Sequence, residues 1–175
     1  VITTIYSENT IDSNTLTKMC TLIQDKFHAA TSITSSYLIG DIFADSTEIY
    51  ASLVAIIQFL EFRFLYGYNS IVYQSSLNSD RSAIYPQNIV HDITTSVIHS
   101  APRVCLESMD KFFAAVIYSN SPHIAKEWIA SMVFSLIKET QYIYNRSSSN
   151  GFDYLKQILD CATIDECILL IQNML

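Results

Sequence analysis

Glycine and proline are scarce, with three of each in 175 residues. A sandwich or barrel turns often and needs both, so an all-β architecture is disfavoured. Charge is scarce as well, at 15% of residues, and no two of the ten Lys and Arg are adjacent. With a net charge of −7 and no basic stripe, a nucleic-acid partner is not expected, because phosphate contacts need clustered cations. An anionic membrane surface is disfavoured for the same reason. The four cysteines, Cys20, Cys105, Cys161 and Cys167, contain no CxxC spacing, which excludes a zinc ribbon or thioredoxin motif. Each falls on or near an apolar face and is expected as a buried free thiol, with two disulfides in a secreted protein as the alternative. There is no GxSxG, P-loop, GxGxxG, HExxH or Glu-x-x-His, so the sequence assigns no catalytic residue and no metal site.

Half of the residues are hydrophobic, enough for a sizeable core. The most apolar stretch is Ser46–Tyr68, interrupted by Gln58, Glu61 and Arg63. A helix that is apolar nearly all round is either buried or membrane-spanning. Its unbroken apolar run, Leu53–Ile57, is far shorter than the roughly 18–20 residues a bilayer needs, so no membrane span is expected. The expectation is therefore a central core helix, begun by an Asp45/Glu48 capping box and ended by Gly67.

Residues 1–12 read as an arm and 13–175 as one all-α domain of seven or eight helices. Ser13 or Asn14 is expected to cap a first helix whose Leu16, Met19, Cys20, Ile23, Phe27 and Ala30 share one stripe. Tyr37–Ala44 reads as a short helical or irregular segment, and Tyr68–Tyr85 as a long loop. Pro86, Pro102 and Pro122 each open a helix, where the missing N–H costs nothing. Their inward faces are Ile89, Val90, Ile93, Val97 and Ile98, then Cys105, Met109, Phe112, Phe113 and Val116, then Ile124 through Ile137 at helical spacing. A short helix over Phe152–Cys161 and a last one capped by Thr163 with Glu166 complete the chain.

Among the four histidines, His28 follows Phe27 on the first helix and is the candidate axial ligand for a haem. Tyr66, Tyr68, Tyr73 and Tyr85 cluster around the long loop and, with Trp128, are the candidate interaction surface, since an apolar body with a polar tip suits binding. A protein partner is the expected ligand. Asn145-Arg146-Ser147 is a glycosylation sequon. The chain begins at Val1 without a signal-peptide apolar region, and an intracellular compartment is the expected location, with an organellar one after processing as the alternative.

The segment Leu16–Tyr50 resembles the first part of a haem oxygenase, in which an amphipathic helix ends near a proximal histidine. His28 takes that place, followed by Leu38, Ile39 and Phe43, the polar Asp45 and Ser46, and the aromatic Tyr50. Pro122 to Gln141 has the length of that family's distal helix, which carries Gly-Asp-Leu-Ser-Gly-Gly-Gln. Here the corresponding residues are Ser135-Leu136-Ile137-Lys138-Glu139-Thr140-Gln141, and only Gln141 matches. The resemblance implies a degenerate member: Ser135, Glu139 and Thr140 replace the glycines, Leu136 replaces the acid that orders water, and oxygenase chemistry is lost. The architecture also resembles divergent Bcl-2-like proteins, with Glu127-Trp128-Ile129-Ala130 where that fold carries Asn-Trp-Gly-Arg. Three readings follow: a non-catalytic binding or scaffold protein, a haem-binding protein with His28 as axial ligand, and a Bcl-2-like binder of a partner helix.

Overall fold

The computed structural model describes residues 11–40, 48–77, 83–144 and 150–175. Most of residues 1–12, with Phe43, Asp45, Ser46 and the sequon at Asn145, lie outside the described residues. The described chain is mostly helical, as expected, with eight helices and one two-stranded sheet. It divides into two compact units, 1–57 with 68–77, and 58–67 with 78–175.

In the first unit, α1 spans Ser13–Thr31. Its N-cap is Asp12 rather than Ser13 or Asn14: the carboxylate accepts from the Thr15 N–H at 2.8 Å and from the Thr15 hydroxyl at 2.7 Å. An acidic cap satisfies an orphan N–H and also suits the positive end of the helix dipole. Tyr37–Ile39 is not helical or irregular but a strand, β1, which pairs in parallel with β2, Ile71–Tyr73. Tyr37 lies opposite Ile71 and Ile39 opposite Tyr73. Both strands are aromatic and β-branched in composition, and a parallel pair needs a long crossover, which α2 supplies in sequence. A four-residue helix, α3 (Gln74–Leu77), follows β2, so the expected loop is partly ordered into regular structure.

Helix α2 runs from Ile49 to Tyr66. It ends at Gly67, whose φ of 71° and N–H bond to the Arg63 carbonyl at 2.9 Å form the left-handed stop expected there. It is not the buried centre, however. Tyr50 is 75% exposed, Ile57 66% and Leu60 65%, whereas Phe59, Phe64 and Leu65 near its end are buried. The helix is apolar on every side and therefore favours no face, so composition shows that it is hydrophobic without showing which part is covered.

The second unit holds the core. It contains α4 (Gln87–Ile98), α5 (Pro102–Tyr118), α6 (Pro122–Tyr144), α7 (Asn150–Asp160) and α8 (Ile164–Met174). Prolines start three of these helices, as the sequence predicts, Pro86 as N-cap and Pro102 and Pro122 as first residues. α4 stops with Ser100 left-handed at φ 51°. The Ala101 and Ser100 N–H groups bond the Ser96 and Val97 carbonyls, a Schellman motif that satisfies the carbonyls orphaned at a helix end. α6 packs against α4, α5 and α7. Phe112, Val116, Ile129, Met132 and Val133 have no exposed surface, so the expected inward faces of α5 and α6 are the core. Each such side chain contributes about 1.5–3 kcal/mol by leaving water. Thr163 caps α8 through its hydroxyl, and Glu166 reaches back to the Ala162 N–H at 2.8 Å, one residue earlier than in a standard capping box.

Candidate interaction surface

Helix α1 is held to its unit by polar contacts. The Thr17 and Tyr73 hydroxyls are 2.6 Å apart, and the Tyr73 hydroxyl donates to the Ser13 carbonyl at 2.6 Å. Gln24, the one residue of α1 that is buried, donates from Nε2 to the Ser35 carbonyl at 2.8 Å. At its far end Ser32 turns left-handed at φ 58°, and its N–H bonds the His28 carbonyl.

The apolar stripe of α1 is on the outside. It was expected to face inward, but Met19 is 40% exposed, Ile23 49% and Phe27 41%, and Leu22 beside them is 55% exposed. Ala30 is exposed, and only Leu16 and Cys20 are half-buried. The stripe is left uncovered within its own unit because the residues that dock α1, Ser13, Thr17 and Gln24, lie on the flank next to it. A helix with its polar flank inward and its apolar stripe outward inverts the usual arrangement of a surface helix. Lys26 lies three residues after Ile23 and four after Leu22, so a cation borders the stripe, while over α1 and its N-cap Lys18 and Lys26 are balanced by Asp12 and Asp25.

Of the aromatic residues expected to form one surface, Tyr68 and Tyr73 belong to the first unit and Tyr66, Tyr85 and Trp128 to the second. Tyr85 and Trp128 meet edge to face with ring centroids 5.7 Å apart, and Trp128 is buried in the core of the second unit. A tryptophan at the inward stripe of α6 is packing, which removes it from the exterior. Tyr73 belongs to the first unit, tied to α1 as above. Tyr66 stacks on Phe62 and donates to Asn120 Oδ1 at 2.9 Å, and Tyr68 is exposed. His28, the candidate haem ligand, is exposed in the last turn of α1.

No group of three or more His, Cys, Asp or Glu that could hold a metal ion occurs among the described residues. No described helix is long and apolar enough to cross a membrane. All four cysteines are free thiols. Burial pushes the Cys20 and Cys105 thiols up from their ordinary pKa. Cys167 is raised much further by burial and then by the neighbouring Cys161, with the Lys126 ammonium acting in the opposite sense. That thiol pair is a feature sequence reasoning missed. Its one signal is that Cys161 and Cys167 flank the α8 cap at Thr163.

No family model, curated protein or solved structure matches the chain. The comparisons therefore bear neither for nor against a likeness to haem oxygenases or to Bcl-2-like proteins.

Proposed function

We propose that this protein acts by binding another protein, with the outward stripe of α1 as the docking face. The observation that carries the reading is the inversion of α1: Met19, Leu22, Ile23 and Phe27 are exposed while Gln24 is buried. Leaving four large apolar side chains in water forgoes burial that folding normally exploits, and contiguous exposed apolar residues mark interaction sites. Their helical spacing suits a partner helix laid alongside, read as i, i+3, i+4 and i+8 anchors. Charge narrows the partner further. Lys26 is the charge that borders the stripe, so the fitting occupant is an amphipathic helix with an acidic residue opposite Lys26.

The test uses a panel of labelled amphipathic helical peptides, identical in their apolar face and flanked by either Glu or Lys. Fluorescence anisotropy is followed with the whole protein, its Ile23→Asp and Phe27→Asp variants, and Thr21→Asp as an exposed polar control. The reading expects saturable binding of the acidic peptides, weakened at least tenfold in the two stripe variants and kept in the control. Binding that prefers the Lys-flanked peptides, or that ignores both stripe variants, would remove α1 as the docking face.

A further inference from the structure

We propose that Cys161 and Cys167 form a reversible oxidation site, closing to a disulfide between the end of α7 and the first turn of α8 on exposure to a hydroperoxide. The fold brings them together by its turn. Cys161 directly follows α7, with its N–H on the Ile158 carbonyl at 3.3 Å and its thiol on the Gln157 carbonyl at 3.3 Å. Thr163 then starts α8 and, one turn on, the Cys167 thiol reaches the same Ile158 carbonyl at 3.6 Å. The backbone N–H of one cysteine and the sulfur of the other thus converge on a single oxygen, the Ile158 carbonyl.

The two sulfurs have unequal access, which sets their roles. Cys167 has no exposed surface, whereas Cys161 is half-exposed and is the sulfur a solute can reach. Lys126 places its ammonium 3.3 Å from the Leu159 carbonyl, beside the pair, where its charge works against the upward shift of the Cys167 thiol. The Cys161 thiolate attacks the hydroperoxide, forming an S–O bond and breaking the O–O bond, and an alcohol leaves after taking up a proton. Cys161 is then a sulfenic acid. The Cys167 sulfur attacks the Cys161 sulfur, an S–S bond forms, the S–O bond breaks, and hydroxide leaves as water with the Cys167 proton. Two thiols lose two electrons, and the hydroperoxide is reduced to alcohol and water. Because Cys167 stands next to it, the sulfenic acid is resolved before further oxidation, and a thiol reductant reverses the step.

The experiment treats the folded protein with equimolar hydrogen peroxide, alkylates the remaining thiols after unfolding, and digests without reduction using a protease that cuts after Glu166. The expected product is a peptide pair cross-linked between Cys161 and Cys167. It disappears on adding dithiothreitol, is absent from Cys161→Ser, and persists in Cys20→Ser. Cys161 oxidised to sulfinic acid with Cys167 still alkylated, a cross-link to Cys20 or Cys105, or no reaction at either thiol would each overturn the proposal. The mapping of the unmutated chain decides the matter even if Cys161→Ser folds poorly.

Discussion

Phe112 and Phe27 both sit on helical apolar stripes of similar spacing, yet the structure puts one inside and the other outside. Phe112 on α5 has no exposed surface and meets Phe113 edge to face at 5.6 Å, whereas Phe27 on α1 is 41% exposed. Replacing a fully enclosed phenylalanine by alanine removes its transfer energy and leaves a cavity, so Phe112→Ala should cost about 3–5 kcal/mol. The edge-to-face contact supplies roughly 1 kcal/mol of that. Phe27→Ala loses only the covered part of the ring, about 1 kcal/mol, and recovers about 0.5 kcal/mol from the better helix propensity of alanine. Its net cost should therefore stay below about 1 kcal/mol. A domain is stable by about 5–15 kcal/mol, so the first variant should lose a large share of its stability and the second little. Urea unfolding followed by far-ultraviolet circular dichroism reads both as shifts in midpoint. Equal shifts would refute the placement of α1, because an outward phenylalanine has no cavity to leave.

Three further outcomes follow from the same contacts. Thr163→Ala should destabilise the chain by about 1 kcal/mol in the same urea assay, since the buried hydroxyl caps α8, while Thr163→Ser should cost much less. Hydrogen bonds from the Thr15 hydroxyl and N–H hold the Asp12 carboxyl below its ordinary pKa of 3.8. The cap therefore contributes in full above that value and is lost as pH falls through the lower folded-state pKa, which a carboxyl titration by nuclear magnetic resonance would show as a midpoint below 3.8. Hemin titration should give absorbance changes that are the same in the unmutated protein and in His28→Ala, because His28 is exposed. A saturable band lost only in His28→Ala would make that residue an axial ligand.

The second unit was the legible part of the sequence, and for local reasons. Pro102 and Pro122 mark helix starts because the first turn needs no N–H there, and Thr163 with Glu166 marks another through side-chain caps three residues apart. The stripes of α5 and α6 were readable because core packing and amphipathic periodicity agree there. For α1 the periodicity gave the helix but not its orientation: an apolar stripe looks the same whether it meets a core or a partner, and the choice fell to the hydrogen bonds of Thr17 and Gln24 with distant residues. α2 misled through composition, being hydrophobic without asymmetry. β1 and β2 are three residues each and pair across more than thirty residues of intervening chain, so neither had a local signature. Trp128 was legible twice, as part of the α6 stripe and as an aromatic suited to binding, and its burial against Tyr85 decides for the stripe.

The central claim is that the apolar face of α1 points outward, and methionine oxidation tests it most directly. Of the four methionines, Met19 on that face is 40% exposed, Met109 and Met132 are enclosed in the core at 2% and 0%, and Met174 is half-buried. Under mild peroxide the folded protein should convert Met19 to the sulfoxide at close to the rate of the unfolded chain, with Met109 and Met132 protected by orders of magnitude. A Met19 as protected as Met132 would place α1 face-down in a core and contradict the account.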